Sequence, residues 1–374
     1  MNNAAPVIAL DARLVGYAAG IARYAVLLAE ALTSGSGGDE RYVILRSRRA
    51  GRWIGGDRAI QRRMLSPPHH RLERWTLPIE LLVGGPTPTL LHSLDHVAPA
   101  WRSWRSVVTL HDLAFLLYPQ THTAASRAYY AATGESARRS ERVIAVSQRT
   151  ASDGVRLLGL DPARVRVVPE APAPVFYPRP REALDEVSRR HGLVPSKPYI
   201  LFVGTLEPRK NIPLLLDAFA RLRRDVDAQL LLVGARGWLA EPIFQAHART
   251  GLGDAARFLG PLGENELAVL YSHAGAFVLP SVYEGFGLPV LEAMACGAPA
   301  VCSNAGPLPE VAGDAAVLLA PDGPDAWAAA MARLLSDARL ADALRQKGFA
   351  RARTFSWERT AHATRDVYRE ALLA

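Results

Sequence analysis

Cysteine is nearly absent from this sequence, with two residues among 374. Cys296 and Cys302 both lie in apolar segments, without a Cys-x-x-Cys or Cys/His spacing. Isolated cysteines of this kind are more often buried thiols than metal or redox groups. The sequence therefore predicts no disulfide and no cysteine-bound metal.

Long hydrophobic runs are also missing. No apolar segment approaches the roughly 18 residues that a membrane-spanning helix needs, and the start "MNNAAPVIALDARL" lacks the pattern of a secretion signal. The hydrophobic content of 49% suffices for an ordinary core, and the length indicates about two domains. We expect a cytoplasmic protein, at the inner face of the plasma membrane if its basic surface binds lipid.

Several catalytic motifs are absent as well. No predicted strand is followed by G-x-G-x-x-G, which argues against a nicotinamide-dependent oxidoreductase, and P-loop, G-x-S-x-G and H-E-x-x-H patterns are missing. Asp225 and Asp227 form a D-x-D pattern, which is typical of metal-dependent transferases. Because they directly precede a predicted strand and no further acidic cluster accompanies them, we interpret them as a helix-to-strand turn.

Lysine is scarce, since 41 of the 44 basic residues are arginine. The net charge is +8, and residues 41–74 alone contain ten basic and two acidic residues. The apolar residues interleaved with these arginines are Trp53, Ile54, Met64 and Leu65. Such a segment suits contact with anionic lipid or an acidic acceptor, and a solvated basic face is the plainer interpretation. No nucleic-acid-binding module accompanies the charge, so no nucleic-acid partner is expected.

Short apolar segments alternate with amphipathic helical segments in two series. The first series contains "VIALDA", "YVILR", "SVVTLHD" and "RVIAVS", and the second contains "YILFVG", "AQLLLVG", "ARFLG", "GAFVLPS" and "APAVCSN". Buried strands that alternate with helices predict parallel sheets covered on both faces. The predicted fold class is therefore α/β, with two Rossmann-like domains.

A proline-rich segment separates the two series. Five prolines fall between positions 169 and 180, which is typical of an extended connection. We place an N-terminal domain at 1–180 and a C-terminal domain at 181–355. A last amphipathic helix, 356–374, begins with Ser356 as its N-cap.

The segment "PSVYEGFGLPVLEAMACGAP" places two glutamates around a predicted helix start. Glu284 falls in a loop, Pro289 suits the first turn of a helix, and Glu292 lies in its early turns. Gly285 and Gly287 allow a ligand to approach the backbone, and a helix N-terminus favours a phosphate. Carboxylates on either side accept hydrogen bonds from sugar hydroxyls. This pattern predicts a nucleotide-sugar site.

Further candidates follow predicted strands, where open α/β sheets bind ligands. "GTLEPRKN" places Arg209 and Lys210 after "YILFVG", and two adjacent cations can neutralise a diphosphate. "TLHDLAF" places His111 at a strand end beside Asp112, which could orient it. The turn after the first predicted strand contains Gly16 and Gly20.

Together these segments resemble the retaining glycosyltransferases of family four, which have the GT-B fold. The resemblance covers nearly the whole chain, from "GIARY" through "TLHDLAF", "VIAVSQRT" and "VGTLEPRKN" to "FSWERTAHATRDVYREAL". Its most specific part is the E-x7-E element from Glu284 to Glu292. "HDL" and "GTLEPRKN" are typical of the branch that contains O-antigen mannosyltransferases. One departure is "VVPEAPAP", where Glu170 and Ala171 replace the more usual asparagine and glycine.

The resemblance implies two domains that face each other across a cleft, with the final helix returning to the N-terminal domain. It implies that Glu292 binds the ribose of the donor. The implied catalytic residues are His111 beside the sugar, Glu284, and Arg209 and Lys210 on the diphosphate. The implied donor-binding residues are Gly16, Gly20, Gly204, Thr205, Arg209, Lys210, Glu284, Gly285, Phe286, Gly287, Leu288 and Glu292.

The implied function is retaining transfer of a sugar from a nucleotide-diphosphate donor, with GDP-mannose as the leading expectation. The implied acceptor is a glycan or polyprenyl-linked glycan in cell-surface polysaccharide synthesis. No metal and no cofactor are expected, because cations and a helix N-terminus would stabilise the leaving diphosphate. Two other classes remain open. A GT-B-type sugar-nucleotide epimerase would release a free sugar without an acceptor, and a non-enzymatic sugar- or lipid-binding scaffold would transfer nothing.

Overall fold

The computed structural model describes residues 5–16, 19–34, 38–48, 53–70 and 72–374. The chain forms two compact units. The first consists of Met1–Leu117, Ala124–Glu170 and Ser356–Ala374, and the second of Tyr118–Thr123 and Ala171–Phe355. The two units thus divide at Glu170, within the proline-rich segment.

A seven-stranded parallel sheet forms the centre of the described part of the first unit, in the order β3-β2-β1-β4-β5-β6-β7. Its strands are β1 (Val7–Asp11), β2 (Arg41–Ser47), β3 (Ala59–Met64), β4 (Leu90–Ser93), β5 (Arg105–Leu110), β6 (Arg142–Ala145) and β7 (Val165–Val167). Its helices are α1 (Ala19–Thr33), α2 (Glu73–Val83), α3 (Ala114–Leu117), α4 (Ala124–Tyr130), α5 (Thr133–Arg139) and α6 (Gln148–Leu158). The central strand β1 is almost wholly buried, as expected of a parallel strand covered on both faces.

The second unit contains a six-stranded parallel sheet in the order β10-β9-β8-β11-β12-β13. Its strands are β8 (Tyr199–Val203), β9 (Gln229–Val233), β10 (Ala256–Gly260), β11 (Ala276–Leu279), β12 (Ala300–Ser303) and β13 (Ala316–Leu319). Its helices are α7 (Arg181–His191), α8 (Ile212–Leu222), α9 (Glu241–Thr250), α10 (Glu264–His273), α11 (Leu288–Cys296), α12 (Leu308–Ala312), α13 (Pro324–Ser336) and α14 (Ala338–Ala352). Two parallel sheets with helices on their faces confirm the predicted α/β fold class.

The last helix, α15 (Trp357–Leu373), packs in the first unit. Ser356 Oγ accepts a hydrogen bond from the Arg359 backbone N–H at 3.3 Å, so the residue acts as the N-cap. On the buried side of the helix, the Tyr368 hydroxyl lies 2.7 Å from His92 Nδ1 on β4. This hydrogen bond joins the end of the chain to the centre of the first sheet.

Cys296 and Cys302 are buried free thiols, as predicted. Burial raises the pKa of each thiol to about 12, which keeps both protonated and unreactive at neutral pH. Among the helices that the structure describes, none combines the length and the apolar character needed to span a bilayer.

Candidate functional site

Two loops of the second unit follow neighbouring strands at a switch in strand order. β8 and β11 lie side by side, with β9 and β10 beyond β8 and β12 and β13 beyond β11. In open α/β sheets, a crevice forms at such a switch point, beyond the carboxyl ends of the strands. The loop after β8 carries Arg209 and the loop after β11 carries Val282, whose N–H donates to the Arg209 carbonyl at 2.9 Å. The sheet topology therefore brings the two predicted motifs together.

Glu284 is the centre of a buried ion-pair cluster between these loops. Its Oε1 accepts hydrogen bonds from Lys210 Nζ and Ser281 Oγ, both at 2.6 Å. Its Oε2 accepts a hydrogen bond from Arg209 Nη1 at 2.9 Å. Burial alone would raise the pKa of this carboxyl, but Lys210 and Arg209 outweigh burial and lower the pKa to about 2. Glu284 is therefore ionised at neutral pH.

A second buried carboxylate belongs to the cluster, and sequence analysis did not select it. Arg209 Nη2 donates to Glu207 Oε1 at 2.8 Å, and Glu207 is 2% exposed. The cluster thus has two cations and two carboxylates, and its net charge is zero rather than the positive charge that the sequence suggested. Glu207 lies within the "TLEPRKN" motif itself, so its position beside two basic residues was the available signal.

The cluster retains hydrogen-bonding capacity for a ligand. A lysine ammonium has three N–H donors, and within the described residues Lys210 Nζ uses one of them, on Glu284. A carboxylate offers about four acceptor positions, and described donors occupy three on Glu284. Lys210 is 7% exposed, so its side chain is nearly buried.

A glycine at the start of α11 shapes the loop beside the cluster. Gly287 has φ of +107°, and a Cβ there would lie 2.6 Å from Leu308 Cδ2, so only glycine fits without strain. Gly287 is also the N-cap of α11, and having no side chain it leaves the first N–H groups of the helix without a side-chain acceptor. Pro289 has no N–H, and the Val290 N–H donates to the Gly287 carbonyl oxygen at 3.0 Å, so within the described residues the Leu288 N–H is the backbone donor that this turn offers beside Glu284.

The other predicted donor residues occupy separate positions on the second unit. Glu292 is 1% exposed on α11, and its Oε2 accepts a hydrogen bond from Tyr271 Oη at 3.0 Å. Phe286 packs edge-on against Phe355, with ring centroids 5.9 Å apart. Gly204 and Thr205 follow β8, directly before the cluster motif. The roles of these residues stay predictions.

His111 lies at the end of β5 in the first unit, and both ring nitrogens face acceptors. Nε2 lies 2.8 Å from the Leu94 carbonyl oxygen and therefore carries the proton that it donates, while Nδ1 lies 3.2 Å from Glu170 Oε1. Burial alone would lower the pKa of His111, but the hydrogen bond and charge of Glu170 outweigh it and raise the pKa above its ordinary value of 6.5. The geometry favours a doubly protonated imidazolium.

The expected orienting residue of His111 was wrong. Asp112 Oδ1 accepts a hydrogen bond from the Ala114 backbone N–H at 2.9 Å, which caps the start of α3. Glu170 takes the position on the ring instead, although it is distant in sequence. Glu170 is one of the two residues that depart from the usual family pattern, and that departure was the signal for its role.

We predict that Glu170→Gln lowers the pKa of His111, because the amide keeps the shape of the side chain but removes the charge that stabilises imidazolium. The stability that this pair contributes is fully present below the unfolded-state pKa near 6.5 and is lost as pH rises through the higher folded-state pKa. NMR titration of the histidine rings measures the change in the pKa of His111. Asp366→Asn removes the carboxylate 3.3 Å from the exposed His362 and should leave the His111 titration unaltered. A His111 pKa that does not move in Glu170→Gln would contradict this assignment.

The turn after the first strand and the D-x-D pattern are the two other features that the sequence analysis selected. Gly16 has φ of +99° between β1 and α1, and Gly20 is in the first turn of α1; residues 17 and 18 of this turn lie outside the described residues. Asp225 and Asp227 lie in the turn between α8 and β9, as predicted. Asp227 is ion-paired with Lys197 at 2.7 Å. In the part of the chain that the structure describes, no cluster of three or more His, Cys, Asp or Glu residues has an arrangement suited to a metal ion.

Comparison with known families decides the identity of the fold. Residues 18–171 match the model of glycosyltransferase family 4, and residues 185–351 match the model of glycosyl transferases group 1. The chain belongs to the family-four glycosyltransferases. The family resemblance and the GT-B class predicted from the sequence are thereby confirmed.

Three known proteins show the extent of the similarity. The O-antigen chain mannosyltransferase B of Escherichia coli is 34% identical over 80% of this chain and 78% of its own length. The D-inositol 3-phosphate glycosyltransferase 2 of Catenulispora acidiphila is 37% identical, over 62% of this chain and 56% of its own length. The crystal structure of Anabaena Alr3699/HepE, in complex with UDP and glucose, has a TM-score of 0.78 and 18% identity, and the match covers 97% of this chain and 99% of that one. The last similarity supports the fold alone.

Proposed function

We propose that this glycosyltransferase moves mannose from GDP-mannose to a glycan or polyprenyl-linked glycan during synthesis of a cell-surface polysaccharide. The observation that carries the proposal is the Glu284 cluster, which places a carboxylate, an ammonium and a guanidinium beside the N-terminus of α11. The choice of mannose is supported by the similarity to the O-antigen mannosyltransferase. The choice of a nucleotide-diphosphate donor is supported by the UDP bound in a protein of the same fold.

In this proposal the donor lies across the cluster. The diphosphate binds the remaining N–H donors of Lys210 and the Leu288 N–H at the start of α11, where the helix dipole favours negative charge. A sugar hydroxyl donates to the unused acceptor position of Glu284. Because the cluster is neutral before the donor binds, its fixed hydrogen bonds, rather than a net positive charge, select the diphosphate.

We propose that transfer retains the configuration at the anomeric carbon by attack on the same face, with the leaving diphosphate accepting the acceptor's proton. This route needs no protein nucleophile. Glu284 is poorly suited to that task, since three hydrogen bonds and a pKa of about 2 make its carboxylate weakly nucleophilic. Trapping of a glycosyl-enzyme adduct on Glu284 would instead establish a double displacement.

We further propose that transfer needs no divalent metal. The D-x-D acids do not support a metal role, since Asp227 is already paired with Lys197 and with Arg223, at 2.7 and 2.6 Å. Lys210 and the start of α11 take the place that a metal would occupy on the diphosphate.

A donor screen tests the proposed function. The purified protein is incubated with GDP-, UDP- and other nucleotide-sugars, with and without lipid-linked acceptors and with EDTA in a parallel series. We expect release of GDP from GDP-mannose that depends on an acceptor and persists in EDTA. Sugar release without an acceptor would indicate an epimerase, and absence of release with every donor would indicate a binding scaffold. Abolition by EDTA would contradict the metal-independent mechanism alone.

The acceptor that we propose is carried by a membrane lipid, so the protein would contact the membrane surface peripherally. The arginine-rich segment 41–74 supports this, although two of its four selected apolar residues were wrongly expected at the surface. Ile54 and Met64 are buried in the first unit, whereas Trp53 and Leu65 are 58% and 62% exposed. Residues 49–52 and 71 of the segment lie outside the described residues.

A further inference from the structure

The helix α2 carries apolar side chains on the face that the first unit leaves uncovered. Leu72, which precedes the helix, and Trp75, Ile79 and Leu82 are 50%, 58%, 56% and 44% exposed. Their spacing of three, four and three residues places them along one side of the helix. The opposite side is apolar too, and Leu77 and Leu81 lie in the core with strands β1, β2 and β4. A helix that is apolar on both sides is expected to be covered on both sides.

This face is part of a larger apolar surface. The side chain of Glu80 accepts hydrogen bonds from the backbone N–H groups of Leu65 and Ser66 at 2.5 and 2.9 Å, which holds the end of β3 beside α2. Leu65 therefore extends the exposed face, and Val83 continues it at 80% exposure. Eight of the fourteen large apolar side chains that are exposed among the described residues fall between positions 53 and 83. We call Leu65, Leu72, Trp75, Ile79, Leu82 and Val83 the α2 patch.

The sequence around the α2 patch is basic. Residues 41–83 contain ten arginines and three acids. Arg49, Arg52 and Arg71 lie outside the described residues, and two of the acids are engaged inside the first unit. Glu73 is buried, with its carboxylate bonded to Tyr129 at 2.6 Å, and Glu80 is held by the backbone as above. Arg62 donates to the carbonyl oxygen of Leu81 at the end of α2, and Arg63 beside it on β3 is exposed. The α2 patch is thus an apolar face flanked by arginines.

This combination selects among possible partners. Two copies of the chain that met through the α2 patch would bring like charges together, which disfavours a symmetric dimer. A neutral protein groove would match the apolar residues but not the arginines. The surface of an anionic bilayer matches both, because apolar side chains enter the headgroup boundary while arginines attract lipid phosphates.

We propose that the α2 patch docks the first unit on an anionic lipid bilayer, with Trp75 and Ile79 in the boundary between headgroups and acyl chains. This assignment rests on the proposed peripheral membrane contact and names the face that makes it. It centres the contact on α2, which extends the surface past the end of the arginine-rich segment 41–74, while Leu65 and Leu72 of the patch lie within that segment. It does not depend on the identity of the donor or acceptor.

The test compares the full chain with Trp75→Gln/Ile79→Gln, which removes apolar surface without changing charge. Binding to vesicles of phosphatidylcholine with phosphatidylglycerol, and of phosphatidylcholine alone, is measured by sedimentation at low and high salt. We expect the double variant to bind anionic vesicles at least about tenfold more weakly, and salt to weaken binding of the unchanged chain. Val194→Gln/Leu373→Gln removes two exposed apolar side chains elsewhere and should bind like the unchanged chain.

Equal binding by the folded double variant would overturn the α2 assignment. If the unchanged chain does not bind anionic vesicles, the proposed membrane contact is overturned as well. Sugar transfer is tested separately, by measuring acceptor-dependent nucleotide release with a soluble acceptor. A dimer in the unchanged chain that the substitutions dissociate would show that a second copy covers the patch. If the double variant does not fold, Ile79→Gln alone gives the same comparison with a smaller expected change.

Discussion

Lys210→Ala is expected to lower the turnover of sugar transfer by about a hundredfold or more, because in the proposed function the ammonium is a fixed donor to charge that grows on the leaving diphosphate. Removing it also changes the charge of the cluster from zero to minus one. The remaining carboxylates then repel the donor that the cluster should hold. The lost donor lowers turnover, and the repulsion weakens donor binding. Steady-state kinetics over a range of donor concentrations measure the two contributions as kcat and KM.

The matched control is Lys347→Ala, which removes the ammonium of a surface ion pair. Lys347 Nζ lies 2.8 Å from Asp314, and both side chains are more than half exposed. Exposed pairs of this kind contribute little to stability, so this variant should keep normal turnover. Loss of Lys210 removes one partner of a buried pair, which destabilises proteins by about 3 to 5 kcal/mol. The thermal unfolding of the variant is therefore measured together with its kinetics. Normal turnover in a folded Lys210→Ala protein would refute the proposed role of Lys210.

The sequence allowed the sheets and the cluster motifs to be predicted because each lies in a short, regular pattern. The buried strands around "YILFVG" and "AQLLLVG" are continuous apolar runs, and these occur as β8 and β9. Four strands, β3, β4, β7 and β13, were not predicted; β7 and β13 are edge strands of three and four residues. β3 lies at the sheet edge and contains two arginines, while β4 is four residues long, so neither gives a clear period of apolar residues.

The partners of charged groups were less predictable than their positions. Glu207 neutralises Arg209 only because a turn of three residues folds its side chain back over the arginine. Glu170 reaches His111 because β6 and β7 carry the chain back beside β5. The sequence held a local signal for each residue, but the contacts themselves are created by the tertiary fold. The exposed face of α2 was missed because apolar residues lie on both sides of this helix, so the sequence does not show which side the fold covers.

Glu284→Gln is expected to remove an acid-sensitive part of the free energy of unfolding. Lys210 and Arg209 lower the pKa of Glu284 from 4.5 to about 2 in the folded protein. A group with a lowered folded-state pKa contributes stability that is present above the unfolded pKa and is lost as pH falls through the folded pKa. The advantage of the unchanged chain over the variant should therefore shrink by about 2 kcal/mol between pH 5 and pH 3. Urea unfolding across this range measures the difference.

The control for this experiment is Asp185→Asn, which neutralises an exposed acid on α7 that makes no contact with the cluster. The difference in the free energy of unfolding between this variant and the unchanged chain should vary little over the same pH range. If the Glu284→Gln difference is equally flat, the two cations do not hold the carboxylate ionised and the neutral cluster is the wrong description of the site. If it is steep, the cations that we propose as diphosphate ligands also keep Glu284 as an anion, which suits it to accept a hydrogen bond from a sugar hydroxyl and makes it a weak nucleophile.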